Sequence, residues 1–167
     1  MNLQSYFKKL RENKNFNDFM KENPSAYLCS GFFTIDREGN DNRQHLDFFI
    51  PQQNKIFSFQ IEEGGKMNPL EVYDKNIPEK IILDFDIDFD DVENKIKDKM
   101  KAQGIDSKAQ KIILALQRTG GRNILSGTVF LSMFGLLKIN MDLENNKITD
   151  FEKKSFFDMI NIFKKKN

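Results

Sequence analysis

The amino-acid sequence predicts an α+β domain in which helices pack on one face of an antiparallel sheet of about six strands. Three observations predict this fold. Apolar residues recur at helical spacing near the N-terminus, they alternate with polar residues in several later stretches, and two segments of the chain resemble each other. The 167 residues include 17 Phe and are 39% apolar, which is enough to form a buried core. We therefore expect residues 1–167 to form a single domain.

Two short amphipathic helices are predicted at the N-terminus, because their apolar residues share one helix face. These residues are Leu3, Tyr6, Phe7 and Leu10 in the first helix, and Phe16, Phe19 and Met20 in the second. Asn23 precedes Pro24. It should end the second helix, since a residue before proline is disfavoured in the α region.

A three-stranded antiparallel meander is predicted next, with polar turn-forming residues between its strands. The predicted strands are residues 26–35, 45–50 and 55–61. If the first hairpin turns near Asn40, His45 lies opposite Ile35. Residues 63–79 are predicted to form a loop.

A further strand is predicted over residues 81–89, where apolar and acidic residues alternate. One face would carry Leu83, Phe85, Ile87 and Phe89, and the other Asp84, Asp86, Asp88 and Asp90. Asp90 would then cap a helix, with Glu93 in the reciprocal position of a capping box. The buried stripe of that helix would be Val92, Ile96 and Met100, and Gly104 would end it.

Another helix is predicted to begin at Asp106 or Ser107 and to end at Gly120-Gly121. Its inward face would consist of Ala109, Ile112, Ile113 and Leu116. Residues 124–151 are again strand-like, with turns near Gly135 and Asn145.

Two pairs of segments suggest an internal duplication. Residues 28–33 resemble residues 124–129, and residues 54–59 resemble residues 146–151. We interpret them as two units, 1–62 and 89–160, each with a helix followed by a three-stranded meander and both sharing one core. Chance similarity between short strand–turn–strand pieces is the alternative.

The second unit also resembles a known family. Residues 136–142, followed by Asn145, Asn146, Lys147 and Ile148, resemble the closing hairpin of PepSY-like domains. In that family an Asp-containing turn with Gly-Lys leads into the last strand. Here Asn146 stands in place of the Gly, and Asn can adopt the same left-handed conformation. The resemblance implies an α+β domain that binds or restrains peptidases.

The composition excludes several classes of protein. One Cys excludes a disulfide framework and multi-Cys metal sites, and one His excludes sites that need several imidazoles. The first ten residues contain no apolar stretch of signal-peptide length, so a cytoplasmic location is expected. Residues 123–137, the longest uncharged run, are too few to cross a bilayer, so no membrane span is expected. No cofactor motif is found, and we expect the protein not to be an enzyme.

The acidic row Asp84, Asp86 and Asp88 is a first candidate surface. Its D-x-D-x-D pattern resembles the start of a calcium-binding loop, but Phe89 and Lys95 occupy the Gly and Glu positions of an EF-hand. An EF-hand is therefore excluded. A hard cation or a basic partner is one interpretation, and a solvated strand face that discourages aggregation is the other.

Three side chains are candidate catalytic groups. His45 and Asp47 share one face of a predicted strand, as a base and its orienting group would. Cys29 is the one thiol, but the predicted register places it far from His45, so a Cys–His pair is not expected. We expect a buried Cys and a hydrogen-bonded His.

Basic residues form a second candidate surface. On the predicted helix, Lys108, Lys111 and Arg118 would share one side, with Arg122 just beyond its end. Lys97, Lys101 and the C-terminal lysines would extend the surface towards an anionic partner such as nucleic acid. A solvated helix face is the alternative interpretation.

Three functions remain open from the sequence. The first is a non-enzymatic intracellular binding or regulatory module that contacts a protein partner through a sheet face or edge. The second is a nucleic-acid or ribosome-associated protein that uses the basic helix 108–122 and the C-terminal lysines. The third is a carrier of a small apolar ligand.

Overall fold

A computed structural model of the protein describes residues 2–70 and 77–155. Within these residues the fold is an eight-stranded antiparallel sheet with three α-helices. The helices are α1 (Leu3–Arg11), α2 (Lys14–Glu22) and α3 (Phe89–Ala102). The strands are β1 (Tyr27–Asp36), β2 (Gln44–Ile50), β3 (Lys55–Gln60), β4 (Lys66–Leu70), β5 (Ala109–Thr119), β6 (Arg122–Leu131), β7 (Gly135–Asp142) and β8 (Lys147–Ser155).

The strand order is β4-β3-β2-β1-β5-β6-β7-β8, so β1 and β5 are the central pair. From this pair, each half of the sheet runs outward in chain order to an edge strand. No helix within residues 2–70 and 77–155 is long and apolar enough to cross a membrane.

Both N-terminal helices are confirmed, and each begins with an asparagine cap. The Asn2 side chain accepts a hydrogen bond from the Ser5 N–H at 3.0 Å, and Asn13 accepts one from the Phe16 N–H at 3.1 Å. Such caps satisfy N–H groups that the first turn of a helix leaves unpaired. The second helix ends at Glu22, just before Asn23 and Pro24, as predicted.

A core rich in phenylalanine joins the helices to the sheet. The Phe33 ring of β1 lies 5.8 Å from that of Tyr6 in α1 and 4.6 Å from that of Phe89 in α3. In α2, Phe16 and Phe19 contact Phe59 at centroid distances of 5.1 and 5.0 Å. Stacked, tilted and edge-on ring pairs of this kind add to the stability gained from burial.

The first meander is confirmed, but its register differs from the prediction. His45 pairs with Phe32 and not with Ile35, because pairing between β1 and β2 ends at Phe33 and Gln44, which centres the connection between Glu38 and Gly39 and not at Asn40. The predicted loop 63–79 contains a fourth strand, β4, and its residues 71–76 lie outside the described part of the chain.

The acidic segment is not a strand. Asp84, Asp86 and Asp88 are exposed while Ile87 and Phe89 are buried, so the predicted alternation is present without a paired strand beside it. An isolated bridge between Asn2 and Asp88 is its one ladder contact among the described residues.

The start of α3 also differs from the prediction. The helix is capped by Asp88, which accepts a hydrogen bond from the Asp90 N–H at 3.0 Å. Glu93 does not complete a capping box. It is 4% exposed and pairs with Arg37 and Lys97.

The helix predicted over 107–119 is wrong, since Ala109–Thr119 forms the central strand β5. Its buried residues are Ile112, Leu114 and Leu116, which repeat every second residue. Strands β1 and β6 pair with it along both edges and satisfy its backbone groups. Gly120 and Gly121 have φ of 57° and 78°, the left-handed conformation that a two-residue hairpin turn requires.

The closing hairpin is formed by β7 and β8. Asn146 in its turn has φ of 48°, the left-handed conformation expected where Asn stands in place of Gly.

The order of the strands bears on the predicted duplication. The similar segments match β1 with β6 and β3 with β8, whereas the two halves of the sheet start at β1 and β5. The duplication, with its limits 1–62 and 89–160, stays a prediction.

Candidate functional site

One side of β5–β8, which we call the polar face, carries small and charged side chains. Ala115, Ser126, Asn140 and Asp150 are successive partners across the four strands, and thus lie in one row. The next row consists of Ile113, Thr128, Lys138 and Glu152. The residues between these rows, such as Leu114 and Ile139, point to the opposite side and are buried.

A groove of about 820 Å³ runs over the polar face. Its floor has the short side chains of Ala115, Ser126 and Thr128, and the longer side chains of Lys138 and Glu152 rise beside them. A smaller groove of about 330 Å³ adjoins it and shares Ser126, Asn140 and Asp150. Strands lie about 4.8 Å apart, so this surface is wide enough for a polypeptide segment.

The carboxylates of the groove differ in their surroundings. Glu152 lies 3.4 Å from Lys154 Nζ. Asp142 accepts hydrogen bonds from the side chain and backbone of Asn145, and these bonds, with Arg122 nearby, lower the pKa of Asp142. Asp150 accepts from Asn140 Nδ2 at 3.1 Å, and no lysine or arginine of the described chain lies within 4 Å of it. Asp150 is therefore a carboxylate of the groove without a cation beside it.

The predicted basic surface does not assemble, because its residues lie on a strand and not on a helix. Residues seven apart share a side of a helix but point to opposite faces of a strand, as Lys111 and Arg118 do. Lys111 pairs with Asp41, and Arg118 donates a hydrogen bond to Asn123 Oδ1 at 3.1 Å.

The two remaining predicted basic residues lie at opposite ends of β5. Lys108 precedes the strand beside Ser132, and Arg122 follows it at the β5–β6 turn, where it lines the smaller groove. Lys97 pairs with Glu93 in α3, and the C-terminal lysines lie outside the described residues.

Two of the three residues of the predicted acidic row, Asp86 and Asp88, have structural partners. Asp86 accepts hydrogen bonds from Asn2 Nδ2 at 2.8 Å and from the Gln4 N–H at 3.2 Å, at the start of α1. Asp88 caps α3. Asp84 is exposed. Within the described part of the chain, no group of three or more His, Cys, Asp or Glu residues is placed to hold a metal ion.

The Cys29 thiol and the His45 ring both lie near Asp47. Cys29 Sγ donates to the Asp47 carbonyl at 3.3 Å, and Ser30 Oγ donates to Asp47 Oδ2 at 2.5 Å. His45 Nε2 is 3.9 Å from Asp47 Oδ1, which has no hydrogen-bond partner, and the ring stacks on Phe32. Burial, with a smaller effect of Asp47, raises the pKa of Cys29 to about 12. The thiol is thus protonated near neutral pH and is not an activated nucleophile.

The short side chains of the groove were missed by sequence reasoning. Ala115 fell within the predicted helix, so a four-stranded surface from β5 to β8 was not expected. The sequence did contain a signal for a strand here. The apolar residues Ile112, Leu114 and Leu116 recur at every second position, and Gly120-Gly121 lies between two strand-like stretches.

A second feature that sequence reasoning missed is the β6–β7 turn. Met133 and Phe134 are 86% and 80% exposed, and their φ angles are 63° and 58°. Bulky side chains are rare in this left-handed conformation, which costs free energy. The turn therefore presents two apolar side chains to solvent on a strained backbone.

Comparison with models of known protein families gives no match, and comparison with curated proteins gives none either. Among solved structures, the chain is similar to the crystal structure of a "putative lipoprotein" from Clostridium difficile 630. The TM-score is 0.52 and the sequence identity 13%, over 84% of this chain and 90% of that one. At this identity the similarity shows a shared fold alone.

Proposed function

We propose that this protein is a non-enzymatic binding module that holds a protein partner on the polar face of β5–β8. The groove over Ala115, Ser126 and Thr128 is the observation that carries the proposal. A pocket for a small ligand is mostly apolar and encloses its ligand, whereas this groove is open and its lining combines Ile113, Ile139 and Phe151 with the polar side chains of Lys138, Asn140, Asp150 and Glu152. Such a surface fits an inserted protein loop better than a small apolar molecule.

Asp150 specifies the chemistry of the partner. Its carboxylate, on the edge strand β8, lines both grooves and is hydrogen-bonded by neutral groups. We propose that the partner's loop places an Arg or Lys side chain against it, since a charge-assisted hydrogen bond is stronger than a neutral one.

The proposal includes the finer details of the predicted fold. The helices would cover one face of the sheet, and the polar face would stay free for the partner. A duplication of a helix-plus-meander unit, with the limits 1–62 and 89–160, stays part of the proposal, supported by the similar segments in β1 and β6 and in β3 and β8. The resemblance of the β7–β8 hairpin to PepSY-like domains favours a peptidase as the first partner to test, and a cytoplasmic location stays part of the proposal.

The alternative functions have less support. Nucleic-acid binding was predicted from a helix whose residues lie in β5, where Lys111 and Arg118 point to opposite faces. A carrier of an apolar ligand needs an enclosed apolar space. The Phe-rich core is instead filled by ring contacts such as that of Phe48 with Phe59, 5.7 Å apart.

A capture experiment with matched variants tests the proposal. The full chain, immobilised, would be exposed to native lysate after nuclease treatment, beside Ser126→Arg, which fills the groove, and Gln103→Arg, which adds the same side chain at the exposed end of α3. We expect a protein retained by the wild type and by Gln103→Arg to lose about tenfold or more in recovery with Ser126→Arg. Asp150→Asn should weaken its binding and reduce the dependence on salt.

The same experiment can contradict the proposal. If each retained protein binds Ser126→Arg as well as it binds the wild type, the polar face is not the binding surface. If nuclease treatment abolishes the retention of bound protein, the result supports the nucleic-acid alternative. Circular dichroism and thermal unfolding would verify that the variants are folded.

A further inference from the structure

The β6–β7 turn has several features that a surface for a protein partner on β5–β8 does not explain. Met133 and Phe134 form what we call the apolar apex, and they are the two most exposed of the large hydrophobic residues in the described chain. The backbone holds both in the left-handed region, where Asn or Gly would be less strained. A strained turn with exposed apolar side chains lowers the stability of the folded state. These residues therefore point to a role other than packing in the core.

Lysines flank the apolar apex. The Ser132 N–H donates to the Lys108 carbonyl at 2.8 Å, and the Lys108 N–H donates to Ser132 Oγ at 3.1 Å, so Lys108 lies beside the turn. On the other side, Gly135 pairs with Ser155, which follows Lys153 and Lys154 in β8. Glu152 pairs with Lys154, but no carboxylate of the described chain lies within 4 Å of the Lys108 or Lys153 ammonium group. Asp106 is the acidic residue nearest to Lys108 in sequence.

The sequence that follows β8 also combines apolar residues with lysines. This sequence, residues 156–167, follows Ser155, which pairs with Gly135. Its apolar residues are Phe156, Phe157, Met159, Ile160, Ile162 and Phe163, and its last lysines are Lys164, Lys165 and Lys166. Apolar side chains bordered by lysines are typical of segments that bind the interface of anionic membranes.

We infer that the apolar apex docks the protein on an anionic lipid surface. Met133 and Phe134 would enter the boundary between headgroups and acyl chains, while Lys108 and Lys153 would contact anionic headgroups. Two largely exposed apolar side chains on one turn suit such a planar surface. The inference does not depend on the proposed protein partner, because Met133 and Phe134 do not line the groove. Different variants therefore test the groove and the apolar apex.

Vesicle binding of the full chain tests the inference. Vesicles of phosphatidylcholine with about one third phosphatidylglycerol would be compared with phosphatidylcholine alone, at low and at high salt. The variant Met133→Asn with Phe134→Asn removes the apex with residues that tolerate a positive φ. Ile77→Asn is the matched control, because Ile77 is 70% exposed and lies outside the β6–β7 turn.

We expect the wild type and Ile77→Asn to sediment with the anionic vesicles and the double variant to bind about tenfold or more weakly. The chain has no Trp, so Phe134→Trp supplies a fluorescent reporter at the apex. Its emission should shift to shorter wavelength when anionic vesicles are added. The inference is overturned if the wild type does not bind these vesicles, if the double variant binds as well as the wild type, or if the Trp emission does not shift.

Discussion

Glu93 connects two parts of the fold through one buried carboxylate. It is 4% exposed, and Lys97 Nζ lies 2.9 Å from its Oε1 atom. Arg37, which follows β1, donates to both oxygens of Glu93, from Nε at 3.2 Å and from Nη2. Burial alone would raise the pKa of Glu93, but the hydrogen bonds from Arg37 and Lys97 outweigh it, and the pKa is lowered.

The substitution Glu93→Gln should therefore lower the free energy of unfolding by about 1–3 kcal/mol near neutral pH. The amide keeps the shape of the side chain but loses the charge that Arg37 and Lys97 pair with. Urea denaturation of both proteins measures the difference. Glu12→Gln, a change at an exposed position, is the control and should leave stability nearly unchanged.

The cost of Glu93→Gln should also depend on pH. Because the pKa of Glu93 is lower in the folded state, its contribution is fully present above the unfolded pKa, which is 4.5 for a free Glu, and is lost as pH falls through the folded pKa. The stability difference between the two proteins should therefore narrow once the pH falls below 4.5. A difference that stays constant down to the acid limit of folding would show that the charge of Glu93 is not what stabilises the protein.

At the scale of elements, β5 shows where sequence patterns are ambiguous. Ile112, Ile113 and Leu116 fit one face of a helix, and Ile112, Leu114 and Leu116 fit one face of a strand. The local sequence does not decide between them. The decision comes from β1 and β6, which pair with both edges of this segment and are distant from each other in sequence.

The acidic segment before α3 shows the opposite case. On the face predicted to be apolar, Ile87 and Phe89 are buried and Leu83 and Phe85 are partly buried. The predicted strand is absent, because a strand needs a neighbouring strand to bond. The N-terminal helices and the first meander were predictable because their spacing, caps and turns are local signals. The groove was not, because it exists only when four strands come together.

The β6–β7 turn allows a prediction about strain. Phe134→Asn should raise the free energy of unfolding by about 0.5–1 kcal/mol, since Asn tolerates the left-handed conformation and Phe134 buries little surface. Gly121→Ala is the matched contrast, because Gly121 has φ of 78° and open space around it. It should lower stability by about 1 kcal/mol through the backbone alone. Thermal unfolding measures both, and a loss of stability in Phe134→Asn would show that the Phe134 side chain stabilises the turn.

For the whole molecule, the topology raises the question whether the two halves of the sheet fold together. They meet at the β1–β5 pair, and each half places a helix against the core. Phe33 lies at this junction. It pairs with Leu114 in β5 and contacts Tyr6 of α1 and Phe89 of α3, so it touches elements of both halves.

Phe33→Ala should therefore destabilise both halves equally, by about 3–5 kcal/mol, because it leaves a cavity in a shared core. Hydrogen exchange followed strand by strand measures this. Amides of β2 and β3 in one half and of β6 and β7 in the other should exchange about 10²- to 10⁴-fold faster, by the same factor in both halves. Phe130→Ala, at a position 36% exposed, should change exchange far less. If Phe33→Ala accelerates exchange in β2 and β3 while β6 and β7 keep their protection, the halves are separate folding units joined at β1 and β5.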